Sequence, residues 1–193
     1  MKMKTVTHPY EASIEVKQSK FIAVLTPYHL FAETLLSLRE KHPKARHFVV
    51  AYRYRNDFGQ IVEYSTDDGE PKGTAGKPAL FVLAGVDMMN CAVIVVRYFG
   101  GTKLGTGGLV RAYSDSVNQV MGEACLIEYR EKIVTIIEFE YSFSRLVEYE
   151  CAHEKIEIVE KKFDLHATYT LRGTKQEIEI LLHKMPREIK IQE

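Results

Sequence analysis

Residues 91–113 read CAVIVVRYFGGTKLGTGGLVRAY, and this stretch decides the fold of the first half of the chain. It opens with an apolar run over 91–99, which is typical of a strand buried within a sheet. Five glycines then occur in the nine residues 100–108. An amphipathic helix is predicted over 109–124. The segment is therefore predicted to be a buried strand, a glycine-rich loop and a helix.

Alternation and helical spacing predict the elements upstream of this segment: two strands within 10–27, a helix over 29–42, a half-buried strand over 46–55 and a short return strand over 60–66. Residues 56–59 are predicted to form the turn before the return strand. Residues 66–77 form a polar loop. Pro78 suits the first turn of a further helix, because its ring presets the backbone angle φ.

The sequence texture changes around residues 126–131. Downstream, the predicted order is strand 132–141, helix 143–154, strand 155–163, strand 165–172, helix 174–184 and strand 188–192. This βαββαβ order is the ferredoxin-like pattern, and Thr174 with Glu177 fits a capping box. The sequence thus predicts an α+β protein with two domains, at 1–127 and 128–193.

The composition excludes several classes of protein. The formal net charge is zero and 46% of the residues are hydrophobic, so a packed core is expected without a strong field for nucleic acid or membrane. The three cysteines form no CxxC pair, which disfavours a disulfide framework or zinc knuckle. Neither an apolar leader nor a membrane-length apolar run is visible. A cytoplasmic location without membrane association is the expectation.

The first candidate site is the acidic turn within 67–78, DDGEPKGTAGKP, which contains Asp67, Asp68 and Glu70. These carboxylates have two functional interpretations, a cation site or a polar latch that orients nearby arginines. The structural alternative is a tight turn in which aspartates bond their own backbone. The spacing does not match an EF-hand, so the metal question stays open.

The second candidate is the glycine-rich loop, whose backbone N–H groups and following helix can cradle an anion. The spacing matches neither a Walker A loop nor a dinucleotide GxGxxG motif. The alternative is a tight strand-to-helix connection that needs glycine for packing. The candidate ligand or phosphate residues are Arg97, Gly100, Gly101, Lys103, Gly105, Gly107, Gly108 and Arg111.

A third candidate is the basic segment 39–55, which includes the basic strand with His47, Arg53 and Arg55 interleaved with tyrosines. Basic residues beside aromatics suit phosphate contact and base stacking. A solvated strand face is the alternative. No motif indicates a catalytic residue.

Electrostatics predicts that the acidic turn and the glycine-rich loop meet in space. Three carboxylates within four positions would raise one another's pKa unless cations lay nearby. Arg97 and Arg111 are predicted to supply those cations through charge-assisted hydrogen bonds.

Four ordered motifs, at 19–23, at His47 with Ala51-Tyr52, at 67–78 and at 95–113, together resemble the YigZ/IMPACT family. The resemblance covers about residues 19–120, and residues 130–193 are similar to the smaller domain of its bacterial members. It implies a first domain like ribosomal protein S5 domain 2. It also implies a second domain like domain V of elongation factor G.

The resemblance makes RNA or the ribosome the expected partner. The favoured hypothesis is a non-enzymatic, translation-associated factor that binds RNA or a ribosomal surface and needs no cofactor. The alternative is a small Mg-dependent nucleotide-binding protein or enzyme, with Asp67 or Asp68 binding Mg²⁺. A protein-interaction adaptor is a third hypothesis.

Overall fold

The computed structural model describes residues 2–56, 58–186 and 188–192. The chain divides into two compact units, Met1–Tyr129 and Arg130–Glu193. Each unit combines helices with an antiparallel sheet, which confirms the α+β class.

The first unit is built on a five-stranded sheet. Its elements are β1 (Lys4–Thr5), β2 (Tyr10–Val16), β3 (Ser19–Pro27), α1 (Phe31–Lys41), β4 (His47–Arg55), β5 (Ile61–Thr66), α2 (Gly76–Gly85), β6 (Cys91–Tyr98), α3 (Gly105–Glu123) and β7 (Ile127–Glu128). The sheet order is β2-β3-β6-β4-β5, and all neighbours are antiparallel. β7 pairs with β1, so the first unit extends two residues beyond the predicted boundary.

Both faces of this sheet are covered by helices. On the central strand β6, Val93 and Val95 pack in the cluster that includes residues of α2 and α3. Ile94 and Val96 point the other way, into the cluster that includes Leu38 of α1. Side chains alternate along a strand, so a strand between two helical layers is apolar at every position. This arrangement confirms the buried strand predicted at the centre.

Strand β4 was predicted to be half-buried, and that prediction is wrong for its first half. Val49 is fully buried on the α2 and α3 face, and Val50 is buried against α1. The sequence pattern did not reveal that a helix covers the second face. Within the predicted turn at 56–59, Asp57 lies outside the described residues. The Asn56 side chain accepts the backbone N–H groups of Phe58 and Gln60 there.

Helix α3 begins at Gly105, four residues before its predicted start. The first N–H groups of any helix lack intrahelical acceptors, so glycine weakens a first turn less than a helix interior. Burial of Leu109, Tyr113 and Val117 stabilises the helix. Each glycine makes a helix interior about 1 kcal/mol less stable than alanine would. Tertiary packing thus outweighs the low helix propensity of the glycines. The second half of the predicted loop is the first turn of this helix.

The second unit has the ferredoxin-like topology that was predicted. Its elements are β8 (Lys132–Phe139), α4 (Ser144–His153), β9 (Glu157–Phe163), β10 (Ala167–Thr174), α5 (Lys175–Lys184) and β11 (Lys190–Gln192). The sheet order β11-β8-β10-β9 is antiparallel throughout. Both hydrogen bonds of the capping box between Thr174 and Glu177 are present. The predicted order of elements is confirmed.

The cysteines carry no disulfide. Cys91 and Cys151 are buried and Cys125 is exposed. Burial raises the pKa of the Cys91 thiol to about 12, which keeps it protonated and unreactive at neutral pH. No helix in the described part of the chain is long and apolar enough to cross a membrane.

Candidate functional site

Asp67 organises the acidic turn from within. One carboxylate oxygen accepts the N–H of Gly73 at 2.7 Å, and the other accepts those of Ala75 at 3.0 Å and Gly76 at 2.8 Å. Burial alone would raise the pKa of Asp67, but these three backbone bonds lower it below its ordinary value. For this residue the structural alternative, a turn held by its own backbone bonds, is confirmed.

Asp68 attaches the same turn to the start of β4. Its carboxylate accepts the N–H of Phe48 at 2.6 Å. Its backbone carbonyl lies 2.8 Å from Nδ1 of His47; a carbonyl only accepts, so that nitrogen carries a proton. Because the carboxylates of Asp67 and Asp68 bind backbone N–H groups, the geometry argues against the Mg²⁺ role considered for them.

Glu70 joins the two predicted motifs. Its side chain is only 4% exposed, and its Oε1 accepts from Nη1 of Arg97 at 2.6 Å and from the Tyr113 hydroxyl at 2.8 Å. Nε2 of His47 lies 4.0 Å from the same oxygen. The predicted meeting of the acidic turn and the glycine-rich segment is therefore confirmed. Burial and the neighbouring Glu70 charge strongly raise the pKa of Tyr113, so its hydroxyl remains a donor.

Arg97 is nearly as buried as its partner, with a side-chain exposure of 6%. Its guanidinium lies over the rings of Phe21 and Phe99, at 5.4 Å and 5.7 Å from their centroids. Nε is buried and has no hydrogen-bond acceptor among the described residues. Glu70 therefore satisfies only part of the donor capacity of this arginine.

Arg111 does not pair with the acidic turn as predicted. Its side chain is exposed, and no ion pair in the described part of the chain joins it to the acidic turn. Successive helical residues are about 100° apart, so residues 111 and 113 lie on nearly opposite sides of α3. Tyr113, which lies within the predicted amphipathic helix and was not a candidate site residue, contacts Glu70 instead. A buried tyrosine hydroxyl usually needs a hydrogen-bond partner. That requirement was the signal in the sequence that could have pointed to Tyr113 as a partner of the acidic turn.

A cavity of about 340 Å³ opens beside this network, at the start of α3. Its polar lining includes Glu70, Arg97, Lys103 and Thr106, and its apolar lining includes Phe99, Leu104 and Leu109. The first turn of α3 has no side-chain cap and no acidic residue. Neither a cap nor an acidic residue of this turn therefore neutralises its backbone N–H groups and the positive end of the helix dipole.

Gly100 anchors the segment before the cavity by close backbone approach. A Cβ atom at this position would lie 2.0 Å from the carbonyl carbon of Gln18 in the β2–β3 turn. Its N–H also donates to Ser19 Oγ at 3.1 Å. The packing alternative is therefore correct for Gly100. Gly101 and Gly105 both adopt a left-handed φ, of 87° and 72°, and Gly105 also lines the cavity.

Gly100→Ala is expected to lower the free energy of unfolding by about 2–3 kcal/mol, because the added methyl group forces the backbone after β6 away from the β2–β3 turn. Gly107→Ala is the matched control, because no atom lies within 4 Å of its Cβ position. The free energy of unfolding of that variant should lie within about 1 kcal/mol of the wild-type value or slightly above it. Urea unfolding followed by circular dichroism measures both, and equal stabilities would contradict the close approach.

The residues of the basic strand do not form one surface. His47 belongs to the Glu70 network, whereas Arg53 is buried and donates to Glu63 at 2.7 Å and to the Met88 carbonyl at 2.9 Å. Arg55 donates to the Gly59 carbonyl at the other end of β4, about 26 Å from His47 at 3.3 Å per residue. Arg53 thus has a structural role, and only His47 lies near the cavity network.

The part of the chain that is similar to a known protein family contains this candidate site. The family model for the Impact N-terminal domain matches residues 17–121. This range contains the acidic turn, Arg97 and the start of α3. The chain belongs to the IMPACT family.

Two bacterial members and one solved structure show how far the similarity extends. The chain is 34% identical over 171 residues to an IMPACT family member of Haemophilus influenzae, covering 86% of this chain and 82% of that protein. It is 46% identical over 114 residues to the family member YigZ of Escherichia coli, covering 55% and 54%. A crystal structure described as a hypothetical protein covers 99% of this chain and 97% of that chain, with 28% identity and a TM-score of 0.75.

Proposed function

We propose that this member of the IMPACT family is a non-enzymatic, translation-associated factor that binds RNA or a ribosomal surface at the start of α3. The observation that carries the proposal is the uncapped first turn of α3, which shares its cavity with Lys103 and the buried Arg97. Helix N-termini and basic side chains are the groups that hold phosphates in proteins. The resemblance to the YigZ/IMPACT family supplies the link to translation.

Charge within the cavity favours a phosphate. The carboxylate of Glu70 balances the guanidinium of Arg97 through their 2.6 Å contact. Lys103 is exposed and forms no ion pair within the described ranges, so its charge is available to a ligand. The net charge of the whole chain is zero, so non-specific attraction is weak. Binding is therefore expected to be local, of modest affinity and sensitive to salt.

Lys103→Ala should weaken the binding of a structured RNA about tenfold, because it removes one charged hydrogen bond to phosphate. It should also reduce the slope of log affinity against log salt by about 0.7–1. Fluorescence polarisation with labelled RNA at several salt concentrations measures both effects. Lys175→Ala is the control, because Lys175 is 80% exposed and lies in the second unit. Equal affinities for the two variants would exclude Lys103 from the interface.

Absence of RNA and ribosome binding by the wild type at low salt would overturn the proposal. The nucleotide alternative makes a different expectation in a melting experiment. A nucleotide at about 100 times its dissociation constant adds about 2.7 kcal/mol of stability. Stabilisation by Mg-ATP or Mg-GTP, without RNA binding, would favour that alternative.

A further inference from the structure

The two carboxylate oxygens of Glu70 have unequal surroundings. Oε1 accepts from Arg97 and Tyr113 and lies 4.0 Å from His47. No described residue donates a hydrogen bond to Oε2, although Glu70 lines the cavity. A carboxylate accepts about four hydrogen bonds. A ligand in this cavity therefore meets an unsatisfied acceptor.

The other end of the cavity requires an anion. The first turn of α3 presents free N–H groups, and Lys103 lies beside them. The buried side chain of Arg97 lines the same cavity. The pairing of Arg97 with Glu70 neutralises the carboxylate, so an anion can bind close to it. The ligand must therefore carry an anionic group and, next to it, a hydrogen-bond donor.

A single ribonucleotide has both features. Its phosphate suits the N–H groups of α3 and Lys103, and its ribose hydroxyl suits Oε2 of Glu70. Phe99 lines the cavity and is 55% exposed, so its ring offers a surface to the base. The volume of about 340 Å³ lies at the lower end of ligand pockets, about 300–1,000 Å³, which suits one nucleotide.

We infer that the cavity binds one ribonucleotide unit of RNA and that Glu70 distinguishes ribose from deoxyribose by accepting a hydrogen bond from the 2′-hydroxyl. This inference rests on the proposed function and names the ligand of the same site. The 2′-hydroxyl is the group by which proteins tell RNA from DNA. Deoxyribose leaves Oε2 of Glu70 desolvated and unpaired, which weakens binding.

The test compares three labelled single strands of one sequence, made of RNA, DNA and 2′-O-methyl RNA, by fluorescence polarisation. The wild type is expected to bind RNA about tenfold more tightly than DNA, the effect of one hydrogen bond to a charged group. The 2′-O-methyl strand keeps the ribose geometry but cannot donate, so it should bind as weakly as DNA. Tight binding of 2′-O-methyl RNA would overturn the inference, because backbone geometry would then explain the selectivity.

Glu70→Gln provides a second measurement, because the amide occupies the same volume. The ratio of RNA to 2′-O-methyl RNA affinity should fall from about ten towards one, since an NH₂ group at the Oε2 position can donate to either 2′ oxygen but no longer accepts from the hydroxyl. A circular dichroism melt establishes whether this variant folds, and the wild-type comparison stands without it. Equal binding of RNA and DNA by the wild type would overturn the inference and leave the proposed function intact. Absence of RNA binding would remove both.

Discussion

Arg97→Leu is expected to lower the free energy of unfolding by about 3–5 kcal/mol, the usual cost of breaking a buried ion pair from one side. Glu70, which is 4% exposed beside Arg97, would keep only Tyr113 as a hydrogen-bond donor. The lost cation leaves a buried negative charge without compensation. Urea unfolding followed by circular dichroism measures the change, since the chain has no tryptophan.

The double variant Arg97→Leu with Glu70→Leu separates the pair from its surroundings. Removal of both charges should restore much of the lost stability, because apolar replacements of buried ion pairs are often neutral or stabilising. Arg145→Leu is an exposed control that should change stability by less than about 0.5 kcal/mol. If Arg97→Leu costs less than about 1 kcal/mol, the pair contributes no more than an exposed ion pair and the account given for it is wrong.

Asp67→Asn is expected to destabilise the protein by about 3 kcal/mol at neutral pH, because three backbone N–H groups lose a charged acceptor. These bonds hold the pKa of Asp67 below its ordinary value. A carboxylate with a lowered folded-state pKa stabilises fully above its unfolded pKa of about 3.9. The contribution disappears as the pH falls through the folded-state pKa. The deficit of the variant should therefore shrink below about pH 4.

Denaturant unfolding of the wild type and Asp67→Asn between about pH 2.5 and 7 tests the Asp67 prediction. Asp115→Asn on the exposed side of α3 is the control and should alter stability by less than about 0.5 kcal/mol. If the loss of stability in Asp67→Asn stays constant down to about pH 2.5, the packing of this side chain, and not its charge, stabilises the turn.

Sequence periodicity predicted most of the fold because local patterns reflect local burial. The buried strand β6 follows from its apolar run, and the second unit follows from its alternation of strands and helices. The start of α3 did not follow, because the burial of Leu109 and Tyr113 outweighs the weak helix propensity of the preceding glycines. The burial of Phe48 and Val50 in the first half of β4 depends on α1, a helix that precedes β4 in the chain and covers this face of the sheet.

In the acidic turn, too, the sequence predicted the general arrangement but not the role of each residue. Its clustered charge indicated that cations must lie nearby, and Arg97 is one of them. The three carboxylates nevertheless have different roles. Asp67 folds the turn, Asp68 attaches it to β4, and Glu70 reaches the buried arginine. Adjacent residues of one type point in different directions, and spacing alone does not show which direction each takes.

Local sequence patterns were enough to predict the α+β class, the order of the elements and the contact between the acidic turn and the glycine-rich segment. These properties depend on hydrophobic period, turn chemistry and charge balance, which are encoded locally. The tertiary structure was needed to show that Tyr113, and not Arg111, contacts Glu70. The rotation of α3 against the sheet sets this contact, and that rotation results from packing between residues distant in the chain.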